Sequence, residues 1–320
     1  MSRYSLNESN PKPRGLMQLS KDSRIYIAGC GGMLGDAVYR EFSAIAQVKA
    51  TDLHASDPWL SVGDVRDFGA IRTSVVEFRP DAVINLAALT DLEYCEKEVE
   101  NAWLTNAFGA ENLALVAESL GVPYVYISTA GIFVGEKDSY NDFASPHPLS
   151  VYAKSKYYAE RYTLNTVSKH YVFRAGWMMG GGPAKDKKFV NKIFKQIAAG
   201  KMKLEVVDDK LGTPTYTVDF ARGIHRVLES GHYGLYNQVC GGSGSRYDVA
   251  VEFVRLLGLE GKVSVERVPS SRFEKEYFAS RPASEKLVNL KLDRRGMNVM
   301  RDWKTCLGEY SQVFRDALAR

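Results

Sequence analysis

Two side chains in the segment YAKSK, Tyr152 and Lys156, stand one helical turn apart. Residues at i and i+4 share one face of a helix, so the ammonium group of Lys156 would lie near the phenol of Tyr152 and lower its pKa. Tyr152 would then act as a general acid toward a carbonyl oxygen, and Thr129, which ends an apolar run, would supply a second hydrogen bond. The three residues together predict a catalytic set for carbonyl reduction. Tyr152 and Lys156 alone are equally typical of an amphipathic helix with a surface lysine.

A glycine-rich turn, AGCGGMLG, follows a short apolar run and precedes apolar residues at helical spacing. Its glycines match the spacing of a dinucleotide-binding fingerprint, in which backbone N–H groups and a helix N-terminus approach a pyrophosphate. A purely structural tight turn is the alternative. We expect Tyr152 and Lys156 to contact the same cofactor, because Lys156 can hold the nicotinamide ribose. The turn contributes these predicted cofactor contacts: Gly29, Gly32, Met33, Leu34 and Gly35.

Two carboxylates complete the predicted cofactor pocket. Asp52 ends the second predicted strand, where a carboxylate accepts hydrogen bonds from the adenosine ribose and repels a 2′-phosphate. Asp64 could accept a hydrogen bond from the adenine amine, and Val65 beside it is assigned to the same pocket. The alternatives are a turn cap for Asp52 and an N-cap of the following helix for Asp64. The sequence therefore favours NAD(H), with NADP(H) as the second choice.

The composition excludes several classes of function. The chain has 320 residues, of which 45% are hydrophobic and 25% charged, as in ordinary soluble domains. The net charge of +4 is too small to indicate a nucleic acid or a membrane surface as partner. The 4 cysteines form no CxxC pair and no metal-ligand spacing with the 5 histidines, so we expect no metal and a cytoplasmic location. No apolar run is long enough for a membrane span, and the N-terminus lacks the apolar centre of a signal peptide.

Strands and helices alternate along most of the chain. Short apolar runs such as DAVINLAAL and VPYVYIST indicate buried parallel strands, and longer amphipathic stretches between them indicate helices. We therefore predict an α/β fold, a Rossmann-type doubly wound parallel sheet with a smaller, discontinuous C-terminal substrate-binding lobe. The predicted boundaries are a flexible tail over 1–22, a dinucleotide-binding domain over 23–178 with a return segment at about 209–240, and a lobe formed by 179–208 and 241–320.

Longer segments resemble the extended short-chain dehydrogenase/reductases and, among them, the dTDP-4-dehydrorhamnose reductase family. The resemblance runs from about Ile25 to Trp303 and is carried by PDAVINLAALTDLEYCE, NAFGAENLALVAESLGVPYVYIST, YAKSK, FRAGWMMG, GTPTYTVDFARGI and SRPASEKLVNLKLDRRGM. It implies reduction of a nucleotide-linked 4-keto-6-deoxyhexose, with dTDP as the expected carrier, in deoxysugar or surface-glycan synthesis. Hydride would go to sugar C4 and a proton would come from Tyr152.

The resemblance also implies site residues outside the cofactor motifs. Trp177 would pack on the sugar, although an indole in a strand is as often part of the core. Asn85, Ala87 and Ala88 would let the backbone pass close to the cofactor. Taken by themselves, such small residues on a strand would indicate only tight packing. A Thr-Pro turn is the alternative for the GTPTYT segment. The implied substrate-binding set is Thr90, Ala130, Trp177, Thr213, Pro214 and Thr215.

The sequence departs from the family after the Ser-Thr pair. The family usually has an acidic residue and then aromatic residues there, whereas this chain reads STAGIFVG. Ala130 and Gly131 cannot supply the acid/base pair that a sugar 4,6-dehydratase needs, which disfavours that activity. A lysine run is predicted to be a solvated helix face rather than a diphosphate site, and its members are Lys185, Lys187, Lys188, Lys192 and Lys195.

Two other functions fit the same motifs. One is an NAD-dependent sugar-nucleotide epimerase, in which the hydride returns to the substrate. The other is a non-catalytic, dinucleotide-binding regulatory subunit. The predicted partner is a nucleotide sugar, without nucleic acid or membrane, and a homodimer is compatible with the sequence.

Overall fold

The computed structural model describes residues 17–318 of the chain. Its strands, in chain order, are β1 (Arg24–Ala28), β2 (Gln47–Asp52), β3 (Leu60–Val62), β4 (Ala82–Asn85), β5 (Tyr124–Thr129), β6 (His170–Ala175), β7 (Trp177–Met179), β8 (Lys203–Val207), β9 (Leu211–Gly212), β10 (Pro214–Tyr216), β11 (Gly234–Asn237), β12 (Gly244–Ser245), β13 (Ser264–Val268) and β14 (Ser284–Glu285).

The helices connect and cover these strands. They are α1 (Met33–Ser43), α2 (Phe68–Phe78), α3 (Leu92–Lys97), α4 (Val99–Trp103), α5 (Gly109–Leu120), α6 (Val151–Thr166), α7 (Gly182–Lys185), α8 (Phe189–Ala198), α9 (Thr217–Ser230), α10 (Arg246–Leu256), α11 (Leu290–Arg294) and α12 (Trp303–Leu318). A π-helical segment, Leu104–Phe108, joins α4 to α5.

The central sheet confirms the predicted doubly wound fold. Within residues 17–318 it has 7 strands in the order β11-β6-β5-β4-β1-β2-β3, and every neighbouring pair is parallel. The chain winds outward from β1 in both directions, so the carboxyl ends of β1, β4 and β5 meet at one edge. Strand β3 was not predicted, because it has only three residues, two of them exposed, and so shows no hydrophobic pattern.

Local signals explain where the helices begin and end. The Ser150 side chain accepts a hydrogen bond from the Ala153 N–H and starts α6, which puts Tyr152 in the first turn. Asp67 caps α2 in the same way through Ala70. At the other end of α5, Gly121 takes a φ of 66°, the left-handed conformation that commonly stops a helix.

The predicted single strand HYVFRAGWM is two strands. It breaks at Gly176, where an added Cβ would lie 2.3 Å from the Thr213 carbonyl oxygen. Before the break, β6 pairs with β5 in the main sheet; after it, β7 pairs with β10. This crossing takes the chain from the main sheet into the second lobe.

The second lobe has its own apolar core. This core combines α8, β8, α10 and α12, with Phe194, Phe253 and Phe314 packed together. Part of the segment predicted for this lobe packs elsewhere, since Leu292 and Met297 join the core beside the main sheet. Within residues 17–318, no helix is both long and apolar enough to cross a membrane.

The predicted N-terminal tail is described only from residue 17, and residues 1–16 lie outside the described part. Met17 and Leu19 pack against the core of the main sheet, and the Leu19 N–H donates to Glu229 Oε1 at 3.0 Å. The last residues of the segment predicted to be a tail therefore contact the domain.

Candidate active site

The glycine turn lies at the carboxyl edge of the sheet and fits tightly against its neighbours. Gly29 has a φ of 73°, and a Cβ on it would lie 2.2 Å from the Ala87 nitrogen. A Cβ on Gly35 would lie 2.0 Å from the Cys30 carbonyl oxygen. Only glycine is accommodated at these two positions. At Gly32, by contrast, an added Cβ would meet no atom of residues 17–318 within 4 Å, so open space lies in front of this turn.

That open space suits a pyrophosphate. Gly32 is the N-cap of α1 and offers no side chain to the first N–H groups of the helix, which are left for a ligand. Met33 is half-buried at the first helical position, whereas Leu34 is buried and packs in the core below. The turn can thus hold a dinucleotide, with Leu34 supporting it from behind.

Asp52 helps to hold the turn in place. Its Oδ2 accepts a hydrogen bond from the Gly31 N–H at 2.9 Å, and a Cβ on Gly31 would lie 3.0 Å from the Asp52 carboxyl carbon. Its Oδ1 makes no hydrogen bond to any residue between 17 and 318. Oδ2 of Asp52 thus caps the turn, and Oδ1 is left for the predicted contact with the ribose.

Asp64 forms an ion pair that the sequence analysis did not anticipate. Both of its oxygens accept hydrogen bonds from Arg66, at 2.6 to 3.0 Å, and these bonds lower the pKa of Asp64. Its alternative role as an N-cap is wrong, because Asp67 caps α2. The neighbouring Val65 is buried, and its side chain fills the space beside Gly109 at the start of α5.

The loop after β4 is fixed by an amide. Asn85 Oδ1 accepts from the Ala87 N–H at 3.0 Å, and its Nδ2 donates to the Tyr124 hydroxyl at 2.9 Å. Ala87 and Ala88 are half-buried in this loop, and Ala87 faces Gly29. Glycine is therefore needed at position 29, because the two backbone segments nearly touch.

The predicted catalytic residues come together where β5 and α6 meet. Thr129 ends β5 at the same edge as the glycine turn, and its Oγ1 accepts a hydrogen bond from the Gly131 N–H at 3.1 Å. Tyr152 is half-buried, and its phenol lies close enough to the Thr129 side chain for that hydroxyl to lower the pKa of Tyr152. Lys156 is only 4% exposed, and its Nζ lies 4.3 Å from the centre of the Tyr126 ring. Lys154 points to solvent, as its position off this face predicts.

The expected effect of Lys156 on Tyr152 is not found. Burial raises the pKa of Tyr152 to about 12, and the hydrogen bond with Thr129 only partly offsets the rise. Burial also lowers the pKa of Lys156 to about 7, against the attraction of Glu160. The prediction overlooked burial, which disfavours the charged form of both groups. A phenol with so high a pKa keeps its proton at neutral pH, the state that a proton donor requires.

Behind these residues lies a buried ion pair that the sequence analysis missed. Arg174 on β6 donates to both oxygens of Glu160, at 2.6 and 3.0 Å, and Ser128 donates to Glu160 Oε2 at 2.6 Å. Glu160 follows Lys156 by one helical turn, a spacing that could have pointed to it. The three groups join β5, α6 and β6 directly beneath the predicted catalytic residues.

A second buried polar group lies in the π-helical segment. Asn106 accepts from the Leu89 N–H at 2.7 Å and donates to Ser155 Oγ at 3.2 Å. Ser155 in turn donates to the Tyr152 carbonyl oxygen at 2.9 Å. Asn106 thus connects the loop after β4 with the first turn of α6. Nothing in the sequence pattern marked this residue.

The opposite wall of the site is built around Trp177. A Cβ on Gly212 would lie 2.2 Å from the indole, so glycine there lets the ring rest on the backbone. The indole Nε1 donates to Glu285 Oε2 at 2.6 Å, and the Arg246 guanidinium lies 3.6 Å from the ring centre. Glu285 and Arg246 were not predicted, because they come from distant parts of the chain.

The predicted threonines support this wall from within. Thr213, Pro214 and Thr215 are all buried. Thr213 Oγ1 accepts from the Leu287 N–H, and Thr215 Oγ1 accepts from the Gly176 N–H, both at 3.2 Å. Their hydroxyl groups are therefore already paired within the protein.

Two other predicted substrate residues lie differently from expectation. Ala130 is 1% exposed and packs in a small apolar cluster with Ile132 and Phe133, so its side chain faces the core. Thr90 is exposed, and its hydroxyl accepts a hydrogen bond from Lys188 Nζ at 2.8 Å.

The lysine run is not one solvated face. Exposed members at 187, 192 and 195 fit the prediction. Lys185, however, pairs with Asp57 at 2.9 Å and Asp36 at 3.4 Å, close to the glycine turn. Burial lowers the pKa of Lys188 to about 8, and this lysine faces the site with Arg246. In residues 17–318 no cluster of three or more His, Cys, Asp and Glu side chains could hold a metal ion.

Known proteins share this architecture over nearly their whole length. A family model described as "RmlD substrate binding domain" matches residues 23–315. The spore coat polysaccharide biosynthesis protein SpsK of Bacillus subtilis is 30% identical over 91% of this chain and 97% of its own.

Two solved structures are similar as well. A dTDP-4-dehydrorhamnose reductase from Clostridium acetobutylicum has a TM-score of 0.82 and 33% identity over 93% of this chain and 100% of its own. The Bacillus anthracis enzyme of the same name, in complex with NADP, has a TM-score of 0.82 and 27% identity over 90% of this chain and 98% of its own. From the family match and the SpsK identity, we conclude that the chain belongs to the RmlD substrate binding domain family.

Proposed function

We propose that this protein is an NAD(P)H-dependent reductase of a nucleotide-linked 4-keto-6-deoxyhexose, with dTDP as the carrier, in deoxysugar or surface-glycan synthesis. The observation that carries the proposal is that Thr129 at the end of β5, with Tyr152 and Lys156 in the first turns of α6, lies at the edge of the sheet where the glycine turn also ends. The reductases from C. acetobutylicum and B. anthracis, which share this fold, support the same activity.

The glycine turn and its surroundings fit a dinucleotide. Gly32 and the start of α1 would bind the pyrophosphate, Asp52 the adenosine ribose, and Lys156 the nicotinamide ribose. A bound reduced nicotinamide supplies a hydride for the carbonyl carbon at sugar C4. NADPH is the first cofactor to test, because the B. anthracis relative was solved with NADP.

The residues of this chain handle the proton. Tyr152 would donate its phenolic proton to the carbonyl oxygen, and Thr129 would orient that oxygen by a second hydrogen bond. When protonated, the buried Lys156 would stabilise the negative charge that develops on the oxygen and then on the phenolate. The Glu160–Arg174 pair would keep α6 in place against β5 during the reaction.

The nucleotide sugar would lie against the wall formed by Trp177. Both faces of the indole are covered, by the Gly212 backbone and by the Arg246 guanidinium, so Trp177 would border the sugar with its ring edge. Arg246, which has no salt bridge within residues 17–318, and Lys188 beside it would bind the diphosphate. This assignment replaces the solvated helix face predicted for Lys188.

We expect a homodimer through exposed apolar side chains of the π-helical segment and α6, where Leu104, Phe108 and Tyr158 lie together. Phe108→Asp should convert the dimer into a monomer in light scattering after gel filtration, and an unchanged mass would contradict the assignment. The four buried free cysteines suit the cytoplasm.

The test is oxidation of NADPH and NADH with dTDP-4-keto-6-deoxyhexoses, followed through the absorbance of the reduced nicotinamide. Wild type should consume the cofactor, and Tyr152→Phe should lower kcat by about 10³-fold because the proton donor is missing. Tyr162→Phe, which changes a half-buried tyrosine on the same helix outside the proposed dimer contact, is the matched control and should keep its activity. No oxidation by wild type would overturn the proposal for these substrates.

A further inference from the structure

Glu285 brings a carboxylate into the site from a part of the chain that carries none of the predicted catalytic residues. It ends β14, which pairs with β9 in the second lobe. Its side chain is half-buried and reaches Trp177, where Oε2 accepts the indole N–H at 2.6 Å. This bond fixes the direction of the carboxylate group.

The second oxygen of Glu285 points to the space left by Gly131. A Cβ built on Gly131 would lie 3.2 Å from Glu285 Oε1 and 3.5 Å from Thr129 Oγ1. The carboxylate and the threonine hydroxyl therefore border the same small volume. The absence of a side chain at position 131 is what allows Glu285 to come so close to the predicted carbonyl site.

Glu285 Oε1 has no partner of its own. It makes no hydrogen bond or salt bridge with any residue between 17 and 318, although Arg246 and Arg281 contribute positive charge nearby. Arg281 is held by two hydrogen bonds to Glu93, so it is already neutralised. Burial raises the pKa of Glu285, while Oε1 stays accessible from the open space of the site. A donor group on a ligand would satisfy it.

The chemistry of the proposed substrate limits where that donor can be. When Thr129 and Tyr152 hold the oxygen at C4, an acceptor beside Thr129 can reach a substituent on a flanking carbon. Of the two flanking carbons in a 6-deoxyhexose, C5 carries the ring oxygen, a hydrogen and a methyl group. Only C3 carries a hydrogen-bond donor, either a hydroxyl or an amino group.

We propose that Glu285 is a specificity-determining residue that accepts a hydrogen bond from the C3 substituent of the sugar. It would select substrates that have a hydroxyl or amino group next to the reacting carbonyl and reject 3-deoxy sugars. This inference rests on the proposed function for the identity of the sugar. The proposal also accounts for the departure from the family at STAGIFVG. Gly131 has no side chain, and Glu285 brings a carboxylate to the same place from another part of the chain.

Binding measurements test this contact without turnover. We would titrate the full chain with dTDP-rhamnose and with its 3-deoxy analogue in the presence of NADP⁺, by calorimetry. Wild type should bind the 3-hydroxy ligand about 10- to 100-fold more tightly, as expected for a lost hydrogen bond to a charged acceptor. Glu285→Ala should reduce this ratio to near one by weakening only the 3-hydroxy ligand.

Two variants separate the contact from a structural role. Trp177→Phe removes the indole N–H that orients Glu285 but keeps the carboxylate. If Glu285 had only a structural role, both Glu285→Ala and Trp177→Phe would lower the affinity for the 3-hydroxy ligand and for the 3-deoxy ligand by equal factors. That result, or a wild type without preference, or a wild type that binds neither ligand, would overturn the inference. Glu274→Ala, an exposed glutamate of the same lobe, should leave the ratio unchanged.

The nature of the donor and the proposed function are judged separately. A 3-amino analogue that loses affinity in Glu285→Gln identifies an ammonium group as the donor and supports the contact. NADPH oxidation with the matching keto sugar tests the reductase itself. A preserved 3-hydroxy preference without oxidation would contradict the reductase and keep the contact.

Discussion

The two sides of the site are built in opposite ways. The part of the cofactor side that would hold the pyrophosphate and the adenosine ribose comes from one stretch, residues 24–52, in which a strand, a glycine turn, a helix and a second strand follow each other directly. The substrate side joins Trp177, Gly212, Arg246 and Glu285, which are brought together only by the packing of the second lobe. Local geometry would thus determine how the cofactor is held, whereas long-range packing would determine which sugar is accepted.

The largest effect should follow from breaking the cofactor side at Gly35. Gly35→Ala places a Cβ 2.0 Å from the Cys30 carbonyl oxygen, so the turn and the start of α1 must move. We expect NADPH affinity to fall by about 100-fold and stability by about 3 kcal/mol. Calorimetric titration and denaturant unfolding measure both.

Gly69→Ala is the matched control, because its Cβ would meet only the Asp67 side chain at an ordinary 3.5 Å. It should change stability by less than about 1 kcal/mol and leave NADPH binding intact. Equal losses in both variants would show that the glycine turn has no special role.

The next effect should be confined to the substrate side. Arg246→Ala removes a cation held 3.6 Å from the centre of the Trp177 ring. The KM for the nucleotide sugar should rise by about 10- to 100-fold, since a charged hydrogen bond to the diphosphate is lost, while NADPH affinity stays unchanged. Arg272→Ala, an exposed arginine paired with Glu205 in the same lobe, should alter neither constant. A parallel loss of NADPH affinity in Arg246→Ala would mean that the two sides are not separate.

A smaller effect concerns the residue between the two sides. The pKa of Lys156 is lowered to about 7 in the folded protein. Below pH 7 the folded protein therefore buries a charged lysine, which lowers the free energy of unfolding by the full amount. This loss becomes smaller as the pH rises above 7 toward the pKa of the unfolded chain, because the buried amine is then neutral. Lys156→Met should therefore stabilise the protein by about 1–2 kcal/mol at pH 6, and by less at pH 9, while it lowers kcat. Thermal unfolding at the two pH values measures the difference.

Lys154→Met changes an exposed lysine of the same helix and should show no such dependence on pH. If Lys156→Met destabilises the protein at pH 6, the burial of the charged lysine does not lower the stability of the folded protein.

The smallest effect is expected at Asp52. Its carboxylate holds the Gly31 N–H and would repel a 2′-phosphate. Asp52→Asn should shift the ratio of kcat/KM for NADPH and NADH toward NADPH by about 5-fold, since roughly 1 kcal/mol of repulsion is removed. A shift toward NADH would contradict the assignment of this residue to the ribose.

The same contrast explains what could be predicted from the sequence. The fold and the position of Tyr152 in the first turn of α6 follow from local signals, such as the Ser150 cap and the periodicity of apolar residues. Glu160 and Arg174 were missed because a buried ion pair joins residues that are separate in sequence. Ala130 was expected to face the sugar, but its direction depends on a cluster formed with distant Val239 and Leu287.

The most direct test of the account is the fate of the hydride. The protein would be incubated with a dTDP-4-keto-6-deoxyhexose and NADPH deuterated at the transferable position of nicotinamide C4, and the sugar product examined by NMR. We predict deuterium at sugar C4 and one NADPH oxidised for each product molecule. A product without deuterium, formed with no net oxidation of NADPH, would contradict a reductase and indicate an epimerase.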